Sequence, residues 1–146
     1  MAIEAYSLAR DGEKQLSANF KVREFYCRDG SDPIFVDSEL VQCLQKIRNH
    51  FGKPVHITSG YRTAAYNARK DVGGAKFSQH QYGKAADIWI DGVSVDTLAN
   101  YIDQSVLLNT GGIGRYYKDA AHPNRKQSFV HIDVRKARSQ IGRAHV

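Results

Sequence analysis

Cysteine is scarce in this chain of 146 residues. Cys27 and Cys43 are the only two, and two isolated thiols give neither a metal motif nor a disulfide framework. Cys43 falls in a helical pattern and reads as a small buried side chain. Long apolar runs are also missing, and no stretch approaches the length of a membrane span. The opening "MAIEAYSLARDGEKQ" lacks the basic start and apolar centre of a secretion signal. The expectation is cytoplasmic synthesis without a signal peptide or membrane insertion, any later export depending on another route. Neither an internal repeat nor a low-complexity linker interrupts the chain. With 42% apolar and 25% charged residues and only three prolines, the composition is that of a globular protein. The length predicts one domain, 1–146, able to bury most of the surface its unfolded form exposes.

Charge is the first positive feature. A formal net charge of +6 favours polyanionic surroundings: nucleic acid, anionic lipid or an acidic wall polymer. The densest basic stretch is the tail, "RKARSQIGRAHV". It carries no aromatic residues, whereas a single-strand binder interleaves stacking rings with its charge. Nucleic acid is therefore not the expected partner.

The periodicity predicts a mixed fold. "DSELVQCLQKIRNHF" (37–51) puts Leu40, Val41, Leu44, Ile47 and Phe51 on one face. Asp37 can cap this amphipathic helix and Gly52 can end it. "PVHITS" (54–59) alternates as a short strand, and "TAAYNARKD" (63–71) reads as a short helix capped by Thr63 and stopped before Gly73 and Gly74. "AADIWI" (85–90) is a strand. "SVDTLANYIDQSVLLN" (94–109) is a second helix, capped by Ser94, with Val95, Leu98, Ala99, Ile102 and Val106 sharing a face. "GIGRYY" (112–117) and "SFVHIDV" (128–134) read as strands joined by a polar loop with Pro123. The expected class is α+β, a small and largely antiparallel sheet packed on helices.

Alternation within two strands points to chemistry. Val130, Ile132 and Val134 face one way, and Phe129, His131, Asp133 and Arg135 the other. Ala86, Ile88 and Ile90 oppose Ala85, Asp87 and Trp89 in the same manner. If the two strands are neighbours, Asp87 and His131 project into one cleft on the open face of the sheet. A turn at Gly83 would fold His80 back beside Asp87. Two imidazoles and a carboxylate make the ligand set of a zinc site that keeps a fourth position open. Taken singly, each residue has a plainer reading, as a hydrogen-bonded histidine or a turn-capping aspartate.

The motif around them is more specific. "SQHQYGKAAD" fits S-x-H-x-x-G-x-A-x-D at all five specified positions, Ser78, His80, Gly83, Ala85 and Asp87. This is the signature of the zinc D-Ala-D-Ala carboxypeptidases and related peptidoglycan endopeptidases. "ITSGYRTAAYN" resembles the segment before that signature, and "GGIGRYY…SFVHIDVR" resembles the closing part. "NFKVREFYC" with the following helix resembles the start of the carboxypeptidase-type branch. The resemblance spans roughly residues 19–136, leaving an N-terminal lead-in and the basic tail.

The resemblance implies one zinc ion per chain, held by His80, Asp87 and His131. It implies that Arg62, in "GYRT", holds a substrate carboxylate or polarises the scissile carbonyl; without the motif it reads as a surface salt-bridge residue. Ser78 either supports the site by hydrogen bonding or caps the turn. Many members of the wider group carry an acidic base three residues before the last histidine. Here that position is Ser128, which cannot serve. Asp133 is the candidate catalytic residue in its place, accepting a proton from the attacking water. Its other readings are a partner that orients His131 or a salt bridge to Arg135. Trp89, which shares a strand face with Asp87, is the candidate substrate-binding aromatic. Tyr61, Tyr66, Tyr82, Tyr116 and Tyr117 either line a groove or cover the core.

The implied activity is hydrolysis of peptide bonds in bacterial peptidoglycan, at the cell wall. Three bonds are open to such an enzyme: a terminal D-Ala, a D-Ala cross-link and the L-Ala–D-Glu bond. Single-domain phage and prophage lysis enzymes, which reach the wall after a separate protein opens the membrane, are the resembling type. The contrasting expectation is a metal-containing peptidoglycan-binding module that does not catalyse.

Overall fold

The computed structural model describes residues 3–69 and 78–141. Strand β1 (Ile3–Ser7) leads into a single helical turn, α1 (Leu8–Asp11), and a small ribbon of β2 (Gln15–Ser17) and β3 (Phe20–Lys21) follows. Strand β4 (Pro33–Asp37) returns antiparallel to β1, with Ser7 opposite Pro33 and Ile3 opposite Asp37. Of these two strands only β1 lies in the N-terminal lead-in, and no local signal in the sequence marks this hairpin. Its partners lie about thirty residues apart, and β1 is largely exposed, so it carries no apolar alternation.

Helix α2 (Ser38–Phe51) has the predicted boundaries. Asp37 Oδ1 accepts from the Glu39 backbone N–H at 2.9 Å, and Gly52, at φ +66°, closes the end by donating to Arg48 O. Leu40, Val41, Leu44 and Ile47 are buried, while Phe51 is half-buried and meets Tyr101 edge-on at 5.4 Å.

A five-stranded sheet occupies the rest, in the order β5 (His56–Ser59), β6 (Ala85–Trp89), β8 (Phe129–Asp133), β7 (Gly112–Tyr116), β9 (Ser139–Ile141). Neighbours are antiparallel except β7 and β9, which run parallel. Strand β9 lies within the stretch read as a basic tail. Arg138 anchors its start by donating to the carbonyls of Thr110 and Leu108 and pairing with Asp103.

One face of the sheet packs on the helices. Ile88 and Ile90 from the β6 segment and Val130, Ile132 and Val134 from the β8 segment meet Leu44 and Ile47 of α2 and Leu98 and Ile102 in one core. Each such side chain contributes about 1.5–3 kcal/mol when fully buried. This face is what turns the other one, with its ionisable groups, toward the cleft.

Two helices depart from expectation. The segment predicted as 63–71 forms one turn, α3 (Ala64–Asn67), with Thr63 Oγ1 accepting from the Tyr66 N–H at 3.2 Å. Its expected last residues, 70 and 71, and the Gly73–Gly74 stop lie outside the described residues. The predicted helix 94–109 begins as α4 (Val95–Tyr101), capped by Ser94, and continues as a π-helical segment, Ile102–Leu107. The π spacing brings Leu107, five residues after Ile102, into the core in place of Val106, which is only half-buried. Among the described residues, no helix is long and apolar enough to cross a membrane.

Candidate functional site

A short turn delivers His80. Ser78 Oγ accepts from the His80 backbone N–H at 3.2 Å and caps a single 3-10 turn, Gln79–Tyr82. Gly83 ends it at φ +71°, and β6 starts two residues later. A Cβ on Gly83 would stand 2.4 Å from the Phe35 carbonyl oxygen, so the turn leans on the backbone of β4. That contact is tied down by the Asp37 N–H donating to Gly83 O at 2.8 Å and by Lys84 Nζ on Asp37 Oδ2 at 3.0 Å.

Sheet register supplies the other groups. Asp87 on β6 lies opposite His131 on β8, and His131 lies opposite Gly114 on β7. Asp87 Oδ1 stands 3.3 Å from His80 Nε2 and 3.2 Å from His131 Nδ1. One ligand atom from each of the three residues lies within 4.8 Å of the others. All three are buried, at 3%, 6% and 7% exposure, too enclosed for independent surface roles.

The outward ring nitrogens are both occupied. His80 Nδ1 lies 2.7 Å from the Gly60 carbonyl oxygen, which requires a proton on Nδ1 and turns Nε2, the nitrogen that can ligate a cation, toward Asp87. His131 Nε2 lies 2.7 Å from Asp133 Oδ2. Such outer partners fix the tautomer and ring angle of metal-binding histidines. A tetrahedral ion with bonds of about 2.0–2.1 Å would separate its donors by about 3.3 Å. The Asp87–His80 and Asp87–His131 spacings match that, so this donor set fits a divalent ion.

Electrostatics agree. Burial alone would raise the Asp87 pKa; His80 and His131 outweigh it and hold this carboxyl far below the ordinary range. Burial would lower the His131 pKa, yet hydrogen bonds with Asp133 and Asp87 push it up to about 9. Without metal, the site balances its charge with an imidazolium between two carboxylates. A divalent cation would take over that role and release the proton.

Asp133 packs between His131 and Arg135. It is fully buried, on the far side of the His131 ring from Asp87. Arg135 saturates it, with Nε at 2.8 Å and Nη2 at 2.6 Å, and the Arg135 backbone N–H adds a third bond. Burial raises its pKa, but His131 and Arg135 outweigh that and keep it ionised. The placement corresponds to the two other readings at once, an orienting partner for His131 and a salt bridge to Arg135.

Arg62 does reach the cluster. Its Nη2 lies 3.4 Å from Asp87 Oδ2, with Nε on Ser59 Oγ at 3.0 Å and Nη1 on Asn67 Oδ1 at 3.1 Å. Trp89 projects on the same face and stacks on His56 at 4.1 Å. Ser128 lies away from these contacts, its Oγ accepting from the Lys118 N–H at 2.8 Å. Sequence reasoning missed Asn67, Gly60 and Gly112. Asn67 is buried and donates to Gln81 Oε1 at 3.2 Å, bracing Arg62 against the His80 turn. Gly60 has no room for a side chain, since a Cβ would lie 2.8 Å from Phe25 Cα. Gly112 faces Asp133, whose Oδ2 would be 2.3 Å from a Cβ there. Both glycines were legible only as strand-end punctuation.

Known proteins resemble this chain in sequence. Over 108 residues the chain is 32% identical to the peptidoglycan L,D-endopeptidase MepK of Escherichia coli (strain K12), a match covering 70% of this chain and 53% of that protein. It is 31% identical over 113 residues to the probable peptidoglycan L,D-endopeptidase MepK of Haemophilus influenzae, covering 73% of this chain and 55% of the relative. The chain thus spans about half the length of these curated relatives. The description of the Peptidase M15 family matches residues 17–133, which takes in the hairpin strand β4, the capped turn and all three clustered side chains. With most of its length inside that match, the chain belongs to the Peptidase M15 family.

Proposed function

We propose that the chain is a zinc-dependent peptidase, one domain over 1–146, acting on stem peptides or cross-links of bacterial peptidoglycan. The observation that carries this reading is the convergence of His80 Nε2 and His131 Nδ1 on Asp87 Oδ1, at 3.3 and 3.2 Å. The relatives' name, L,D-endopeptidase, favours an internal bond between an L- and a D-residue over removal of a terminal D-Ala. The net charge of +6 suits an acidic wall polymer.

His80, Asp87 and His131 would hold the ion, which supplies Lewis acidity to a carbonyl and lowers the pKa of water towards about 7. Arg62, braced by Ser59 and Asn67, offers its guanidinium beside Asp87 to the scissile carbonyl oxygen or a substrate carboxylate. Asp133 fixes the proton on His131 Nε2, and we assign it this positioning role. Ser78 holds the turn that carries His80. Trp89 offers a ring face to the substrate.

The test is digestion of purified cell walls by the zinc-loaded chain, with mass spectrometry of the released muropeptides. New amine termini at one bond are expected, lost on chelation and in His131→Ala. Full activity in the chelated protein overturns the reading. Saturable binding without new termini would favour the non-catalytic module, for which Ser128 speaks, because its position lacks the acid found in many related enzymes.

A further inference from the structure

One step along the strands from the triad, the open sheet face carries a row of rings. Ile88 is paired with Val130 and points into the core, so the next residues, Trp89 and Phe129, return to the face of Asp87 and His131. Tyr116 is paired with Phe129, their rings stacked at 4.5 Å and 11°. His56 is paired with Trp89, stacked at 4.1 Å and 23°. Trp89, Phe129 and Tyr116 are half-buried and His56 is exposed. Two residues of strand span about 7 Å, the length of one dipeptide of extended substrate.

Arg125 stands at the Tyr116 end. Its guanidinium carbon lies 5.4 Å over the Tyr116 ring, and Nη1 donates to the Tyr117 carbonyl at 2.7 Å. The side chain is half-buried, and among the described residues it meets no carboxylate. Arg62, by contrast, already engages Asp87. A guanidinium fixed by a carbonyl and a ring face, with the rest of its fork free of acid, matches a planar carboxylate.

We propose that the row Trp89–Phe129–Tyr116, closed by Arg125, is a subsite that seats a carboxylate-bearing residue of the peptide substrate, one or two residues from the bond that is cut. The inference rests on the peptidase reading for the identity of that peptide. The rings cover its apolar part and Arg125 fixes its charge, which makes Arg125 a determinant of specificity for acidic peptides.

Trp89 is the sole tryptophan, so its fluorescence reports occupancy without turnover. The probe is the stem pentapeptide L-Ala-γ-D-Glu-L-Lys-D-Ala-D-Ala, titrated into the full chain with chelator present. Three forms are compared: the free acid, the glutamate α-amide and the C-terminal amide. One amidation is expected to weaken binding roughly 10- to 100-fold, the worth of a charge-assisted hydrogen-bonded pair, and it identifies which carboxylate is held. Arg125→Gln should weaken the acid by a similar factor without affecting the amide that already binds poorly, and Arg125→Lys should restore part of the loss. The proposal is overturned by equal binding of the acid to wild type and Arg125→Gln, by equal losses for all three peptides, or by no response to any of them. If the zinc-loaded chain releases no new amine termini from the peptide or from purified cell walls while Arg125-dependent binding persists, the subsite stands and the peptidase reading falls. If turnover persists with an unchanged KM in Arg125→Gln, the subsite alone falls.

Discussion

Gly83→Ala should cost far more than its single methyl group suggests. The residue sits at φ +71°, and its Cβ would lie 2.4 Å from the oxygen and 2.6 Å from the carbon of the Phe35 carbonyl. Those atoms belong to β4, which is paired along its whole length with β1, so no flexible side-chain end can swing away. The left-handed conformation costs an L-residue roughly 1–2 kcal/mol. An overlap of about 1 Å with a paired strand adds roughly 1–3 kcal/mol of overpacking. The total is about 2–5 kcal/mol, a fall in Tm of roughly 5–15 °C for a chain of this size. Gly52→Ala is the matched control. It has φ +66° but nothing within 4 Å of its Cβ, so only the conformational cost of roughly 1–2 kcal/mol applies. Urea and thermal unfolding of both metal-free variants, followed by circular dichroism, separate the two contributions. Zinc affinity should also fall in Gly83→Ala and not in Gly52→Ala, because His80 lies in the turn that Gly83 ends. Equal destabilisation by the two substitutions would refute the idea that β4 wedges this turn.

Gly112→Ala places a Cβ 2.3 Å from Asp133 Oδ2 and should push that carboxylate off His131. Loss of such an outer partner lowers metal affinity roughly 10- to 100-fold; unchanged affinity in a competition titration with a chromophoric chelator would count against the positioning role of Asp133. The Cys43 thiol is pushed up to about 11, chiefly by burial. The fold therefore favours the neutral thiol, a contribution complete below the unfolded value of about 8.5 and lost as pH climbs through the folded one. Cys43 should resist iodoacetamide at pH 8 in the native protein and react in urea, and rapid native labelling detected by peptide mapping would contradict this.

Local signals in the sequence were reliable where local physics decides the outcome. The α2 boundaries follow from Asp37 and Gly52, and the two-residue alternation of β6 and β8 correctly sorted Asp87 and His131 onto one face, opposite Ile88 and Val130. What escaped depends on distant partners. The β1–β4 hairpin and strand β9 are made by pairings far apart in the chain, one with little apolar patterning and the other inside a basic stretch. The switch from Val106 to Leu107 needs a π turn, which a 3.6-residue period does not encode. The contacts of Asp133 are not legible in sequence because its strand face is shared by cleft and wall; in the fold Arg135 pairs with it and Gly112 leaves the space it fills.

The strand that carries His131 is flanked on both sides, by β6 and by β7, whereas His80 rides on a single 3-10 turn outside the sheet. The candidate ligands therefore differ in mechanical backing. An opening that frees His131 must break two ladders at the centre of the domain, while one that frees His80 need only relax a turn. A metal held between them would come and go through the His80 side, and exchange could be sped or slowed by changes at that turn without loosening the core.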